Sequence, residues 1–483
     1  MKKSISIYRL LKYINILFFI LMIYTYAIEG NNMYINQWTI FLNTALIVTS
    51  HFVLNDAAKN KNPLLTILAY IMILHYELRI ITLNYTEFST IFGGRVNINA
   101  SGVNRILFYC LLAYLVLWIA FHYRWQIKTQ TPIESHENFK SKAPRNVLII
   151  LYGSFLLQEM SGMGVPGISQ LVSIASTFFF NNLFIMVFGV GFFIYRWGAV
   201  SFKQRALFFL ILAIYIIVHT VGGSRSTLYT IAIVLFLCLL AFGKDNIRKI
   251  YVIIAAAVVP VAVLFFLYAT FTRSYGEKAT NVSEMRNIAG LLAEKMDGQD
   301  MKLVLGPVFD RIAFFDFTAE MVQNRDYLKH YINPVNYAES VVDNLLTPGF
   351  NIFDMPRMSF VVLNCYSIKE KPGIEKYKLD DPANYHSDCF TWFGEAYLIF
   401  GFLALPVILF VGLLIRKKYL NSLREESVTS SWKRIIILYI TYTLLYSYGL
   451  DWLFIDIVGL VINYYIFKAV TINKRKKQVL ITN

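Results

Sequence analysis

The chain has 483 residues, 57% of them hydrophobic, with a mean hydropathy of +0.52 and a formal net charge of +15. That apolar content excludes an ordinary soluble protein of this length and points to many membrane spans. The basic excess falls mostly beside apolar runs, as it does at the inner ends of spans, so it requires no nucleic-acid partner.

Runs long enough to cross a bilayer, roughly 17–25 apolar residues each, number about twelve. In chain order they are 10–28, 38–54, 63–83, 105–122, 147–163, 182–198, 206–222, 227–243, 250–271, 390–415, 434–448 and 452–470. The first is long enough to remain a span and lacks the small-residue cleavage site of a signal peptide. Segment 164–180, with Pro166, Gly167 and several serines, reads as an outer loop or re-entrant piece. The fold class that follows is an all-α polytopic membrane protein with about twelve transmembrane helices and one large periplasmic loop containing amphipathic helices. Its parts are 1–272 with nine spans, a loop or lid at 273–388, and 389–483 with three spans.

Lys and Arg set the orientation. One set of ends carries Lys2, Lys3, Arg9, Lys12, Lys59, Lys61, Arg124, Lys128, Arg196, Lys203, Lys244, Arg248, Arg416, Lys417, Lys418 and the run Lys474–Lys477. The short loops opposite hold Arg79, Arg95, Arg105 and Arg225. Both termini are therefore expected in the cytoplasm, and the large loop outside. His75, Glu77, Arg79, Glu159, His219, Arg225, Asp451 and Asp456 read as near outer span ends and Glu395 as about two turns into its span, which suggests a polar cavity open to the outside. Of four cysteines, Cys110 and Cys238 sit in spans as packing residues; Cys365 and Cys389 are either bonded to each other or two free thiols. No HExxH, CxxC or P-loop spacing is present, so neither a metal nor a cofactor is expected.

Two stretches carry chemistry. Gly222-Gly223-Ser224-Arg225-Ser226-Thr227 is a tight turn between two spans. It is either a plain hairpin turn or an anion site. Arg225 offers a guanidinium fork for phosphate, and Ser226 opens a helix whose free N–H groups favour an anion. The second stretch is Asn384–Tyr397, where the large loop returns to the membrane. His386 precedes a helix N-terminus, which disfavours imidazolium and leaves the ring a proton acceptor; read blandly, it is a surface residue. Glu395 lies two turns deeper, with Trp392 and Tyr397 near it, and aromatic faces beside carboxylates suit sugar rings. Within the large loop, 283–296 and 307–324 read as amphipathic helices, the second with an apolar stripe of Val308, Ile312, Phe315 and Ala319. Arg273 and Arg311 are the loop's candidate anion ligands; most other charges there read as solvated.

The layout resembles the Wzy-type O-antigen or oligosaccharide repeat-unit polymerases: many spans, a short outer Gly223-Ser224-Arg225 loop, a long late loop, and its exit into Phe393-Gly394-Glu395-Ala396-Tyr397. The related O-antigen ligases carry an outer-loop Arg and a late His; Arg225 and His386 occupy similar positions. The ligases typically have His-Asn where this chain has His386-Ser387. The resemblance implies a GT-C-like fold and a glycosyltransferase of the bacterial inner membrane, active at the periplasmic face. Donor and acceptor would be undecaprenyl-diphosphate-linked glycans, with inversion at the anomeric carbon and release of undecaprenyl diphosphate. It also implies a partner that regulates chain length. On that reading Arg225, Arg311, Arg273 and Ser226 bind the diphosphate, His386 or Glu395 is the base, and Trp392 and Tyr397 contact sugar. A ligase, or a flippase for lipid-linked oligosaccharides, is the alternative.

Overall fold

The computed structural model describes residues 4–84, 99–122, 133–134, 139–162, 182–221, 227–243, 246–248, 290, 314–323, 325–329, 333–346, 352–353, 391–446 and 450–473. Among these, helices dominate. The strands are short pieces, β1 Ser4–Ser6, β2 Ile133–Glu134, β3 Asn246–Arg248 and β4 Glu425–Glu426, paired β1 with β3 and β2 with β4.

The N-terminal helices are α1 Ile7–Glu29 and α2 Gln37–Asn60. A third apolar helix follows in three parts: α3 Pro63–Ile71, a π-helical stretch Met72–Glu77, and α4 Leu78–Asn84. Then come α5 Ala100–His122, α6 Ala143–Gly162, α7 Asn182–Arg196, α8 Phe202–Val221 and α9 Thr227–Ala241. Three helices belong to the long polar stretch: α10 Phe314–Gln323, α11 Arg325–Leu328 and α12 Pro334–Leu346. The chain closes with α13 Trp392–Phe400, α14 Ala404–Ser422, α15 Val428–Tyr446 and α16 Leu450–Thr471.

Among the described residues, six helical stretches are long and apolar enough to cross a membrane. Large apolar side chains stay exposed on the bundle's outside, Leu17, Ile20 and Tyr24 on α1 and Phe209, Ile214 and Ile217 on α8. Water would penalise such faces and lipid does not. The protein is therefore an α-helical membrane protein. The expected span 250–271 lies outside the described residues.

Local sequence explains the ends of these helices. Asn36 and Thr39 form a reciprocal capping box at the start of α2. Lys61 turns the chain in the left-handed region, and Asn62 then caps α3 ahead of Pro63 at its first position. The Asn62 side chain also donates to the Phe121 carbonyl at 3.1 Å, tying the α2–α3 turn to the end of α5. The Lys- and Arg-bearing segments meet one another: β1 with β3, β2 with β4, and Phe139 bridged to Ile472. At the other end Asn32 donates to Leu83 and Ala100 to Met33. Among the described residues, the segment ends that the charge pattern assigns to different sides thus lie at opposite ends of the bundle.

The third helix is its centre. In the span Pro63–Leu83 all but Tyr70, Leu74 and Leu78 are buried, whereas most of α1 is not, and it packs against α2, α5 and α15. The run expected as one span at 390–415 is broken. α13 ends at Gly401, whose φ of 59° is open to glycine at little cost, and a 3-10 turn Gly401–Leu403 leads into α14. The apolar part of α14, residues 404–415 ahead of Arg416, reaches only about 18 Å, so crossing a hydrocarbon core of about 30 Å takes α13 as well.

Candidate functional site at the loop–span junction

The long polar stretch docks onto the bundle through α10. The expected stripe is present in part: Phe315 and Ala319 are buried, with Met321 and Val322 beside them. Val308 and Ile312 lie outside the described residues. Phe315 meets the Tyr76 ring edge-on at 6.2 Å, and Tyr76 and Thr318 share a hydrogen bond of 3.4 Å. Thr318 also bonds Thr391, the residue that caps α13 by accepting from Gly394 N. Gly394 allows this close approach. A Cβ there would sit 2.9 Å from Met321 Sδ and 3.3 Å from Thr318 Cα.

α13 is buried on every side from Trp392 to Leu398. Glu395 is 3% exposed and accepts from the Tyr337 hydroxyl on α12 at 2.9 Å. Tyr337 is itself placed by an Asn333 cap and Pro334 at the start of α12. Tyr109 on α5 donates to the Phe393 carbonyl at 2.9 Å. Three helices distant in sequence thereby fix the carboxylate-bearing turn.

Two arginines converge on Tyr397, two residues beyond Glu395. Arg105 on α5 donates to the Tyr397 hydroxyl at 3.0 Å and is otherwise exposed. Arg325 donates through Nε to the Tyr397 and Leu398 carbonyls at 3.0 and 3.2 Å. It thus satisfies the C-terminal carbonyls of α13, a common role for a cation at a helix end. Lys329 holds the exposed Asp326 carboxyl below the usual carboxylate range by hydrogen bond and charge, with Arg325 and Arg105 adding to it.

Of the residues singled out from sequence, Glu395, Trp392 and Tyr397 come together here. Trp392 and Tyr397 are packed in the core, Trp392 against Phe393 and Tyr397 against Tyr109 and Phe402. Arg225, Ser226, Arg273, Arg311 and His386 lie outside the described residues, as do Cys365 and Cys389. Cys110 and Cys238 are buried packing residues. Arg105 and Tyr337 were not singled out. Arg105 read as an ordinary outer-end charge and Tyr337 carried no sequence signal, and only tertiary contact reveals either.

One expectation about depth is revised. Glu77 bonds mid-helix residues, accepting from Asn15 Nδ2 of α1 at 3.2 Å and from Ser50 Oγ of α2 at 2.5 Å. At about 1.5 Å per residue, Asn15 and Ser50 lie about 12 and 15 Å from the basic ends of their helices. The Glu77 carboxyl therefore lies near the middle of the bundle's length, not at an end of it. A position in the third span alone could not show this, because the side chain leans back along its helix.

Among the described residues no group of three or more His, Cys, Asp or Glu is placed to hold a metal ion. No family model, curated protein or solved structure matches this chain.

Proposed function

We propose that the chain is a membrane glycosyltransferase that joins lipid-linked oligosaccharide repeat units, with its site at the outer face of a bacterial cytoplasmic membrane. The observation that carries this reading is the junction just described. Two arginines from distant parts of the chain meet at one short helix, two residues from a buried carboxylate that a loop tyrosine holds in place. A guanidinium suits the diphosphate of an undecaprenyl-diphosphate donor, whose negative charge grows as it departs. Arg105 is the exposed one of the pair.

In the proposed reaction an acceptor hydroxyl oxygen attacks the anomeric carbon. The bond from that carbon to the diphosphate oxygen breaks, undecaprenyl diphosphate leaves, and the configuration inverts. Glu395 or His386 takes the hydroxyl proton. Arg225, Ser226, Arg273 and Arg311 would complete the diphosphate site. Sugar contact by Trp392 or Tyr397 requires the α10–α13 interface to open, since both rings are covered. Polymerisation is preferred to transfer onto another acceptor because of the whole-chain resemblance. On this reading about twelve spans place both termini inside and 273–388 outside.

The test is purified protein in liposomes with both lipid-linked substrates on the loop side. Wild type should extend chains; Arg105→Ala and Glu395→Gln should each slow extension by about 10²–10⁴-fold. Wild-type rates in both variants would overturn this assignment of the site. A second reading, translocation of a lipid-linked glycan, is favoured by one observation, Glu77 near the middle of the bundle's length, since transporters place ionisable groups there. Translocation without chain growth in the same liposomes would select it.

A further inference from the structure

The most deeply buried acid described in the bundle takes no part in the proposed glycosyl transfer. Glu77 is fully buried at the end of the π-helical stretch Met72–Glu77. Single π turns inside α-helices commonly mark functional positions. Here the extra residue per turn coincides with a carboxyl aimed between α1, α2 and α5.

Each neighbouring element presents one polar group to it. From α1 comes the Asn15 amide, which donates to Glu77 Oε2 at 3.2 Å and also to the Ile47 carbonyl at 3.3 Å. From α2 comes Ser50, donating to Oε1 at 2.5 Å. From α5 comes Tyr114, fully buried beside Ser50 and Glu77. The Tyr114 hydroxyl makes no hydrogen bond among the described residues. Of these three groups only Tyr114 titrates. His75 and Arg79 share Glu77's own span, but His75 rests edge-on against Tyr446 and Arg79 donates to Thr82; neither pairs with the Glu77 carboxyl. From α10, Thr318 and Phe315 meet Tyr76 instead.

A carboxylate with two hydrogen bonds and no counter-charge is costly in such an interior unless it carries a proton or a cation. The surroundings discriminate between these. A bound metal ion needs oxygen ligands, whereas Asn15 presents N–H hydrogens to one carboxyl oxygen. Ser50 Oγ approaches the other to hydrogen-bonding distance, leaving no gap for an ion between them. The hydroxyl pair suits a proton. In the ionised form Ser50 donates to Glu77 across that contact. In the neutral form the acid's O–H donates to Ser50 Oγ, and the Ser50 hydrogen is released to turn toward the unpartnered Tyr114 oxygen. The proton added comes from water, and only hydrogen-bond direction changes.

We propose that Glu77, with Ser50, Asn15 and Tyr114, forms an intramembrane proton-binding site at the centre of the helix bundle. This site joins α1, α2, the third helix and α5, so its charge state bears on how the four are held together. The inference rests on neither functional reading.

Infrared difference spectroscopy on the purified full chain in liposomes tests it, wild type against Glu77→Gln. Glutamine keeps the shape and both hydrogen-bonding capacities, so the variant should elute and denature as wild type does. The expected result is a neutral carboxylic-acid carbonyl band in wild type that shifts in heavy water, is missing from Glu77→Gln, and gives way to carboxylate bands as pH is raised. Ser50→Ala should keep the band and move its frequency, because hydrogen bonding sets that frequency. If the difference spectrum holds only carboxylate bands over the whole pH range, or if Ser50→Ala leaves the acid band unmoved, the proposal is overturned. Conversion of the band by sodium at fixed pH, with choline as control, would overturn it in favour of a cation site.

Discussion

At the scale of single residues, the junction depends on a few contacts whose removal has a definite sign. Tyr337→Phe deletes the donor to Glu395 and leaves a buried carboxyl oxygen without that bond. The expected cost is about 1–3 kcal/mol of stability, seen as a lower denaturation temperature in detergent. On the proposed mechanism chain extension also slows at least about tenfold, because the base loses its orientation. Gly394→Ala should cost a similar amount, about 1–3 kcal/mol. Its new Cβ meets a flexible methionine end, which can yield, and the Thr318 backbone, which cannot. Glu395 could be singled out from sequence because a carboxylate inside an apolar run is conspicuous by itself. Arg105 and Tyr337 could not. Their meaning comes from partners 292 and 58 positions away, a separation that no local pattern encodes.

At the scale of elements, apolar run length located most of the bundle, because burying a helix in lipid requires little more than length and hydropathy. Two features escaped it. Hydropathy across 390–415 is uniformly high, so the break at Gly401 left no trace in that average; the break shows in the glycine's backbone and in the arginine that caps it. The π-helical stretch Met72–Glu77 was equally hidden, since one extra residue in a turn disturbs no hydrophobic period in a helix that is apolar all round. The Arg325 contact gives a prediction at this level. Arg325→Ala removes the donor to the last carbonyls of α13, while Arg325→Lys retains a charge but not the planar fork. Amide hydrogen exchange at Leu398–Gly401 should speed up in the alanine variant and lie between the two in the lysine variant. Unchanged exchange in both would show that packing alone holds the end of α13.

At the scale of the whole molecule, charge alone sorts the segments into two sets, because moving Lys and Arg across a bilayer is costly for every loop independently. The clustering of β1 with β3, of β2 with β4, and of Phe139 with Ile472 agrees in placing the basic segments at a common end. Which end faces the cytoplasm is open to a direct experiment. With Cys365 and Cys389 replaced by serine, a membrane-impermeant thiol reagent applied to spheroplasts should label Gln323→Cys and spare Lys142→Cys, both at exposed positions. The reverse pattern would turn the protein over in the membrane and rule out the proposed placement of the site at the outer face.

The kink after α13 has a mechanical consequence. Since α13 and α14 share the crossing on either side of that turn, a thicker or thinner bilayer would be accommodated by the lean of α14 against α13. The hinge at Gly401–Leu403 would absorb the change, with Phe402 and Leu403 sliding in the surrounding lipid. The clamped segment above, fastened by Arg325, Tyr109 and Tyr337, would keep its carboxyl stationary while the bilayer beneath it breathes.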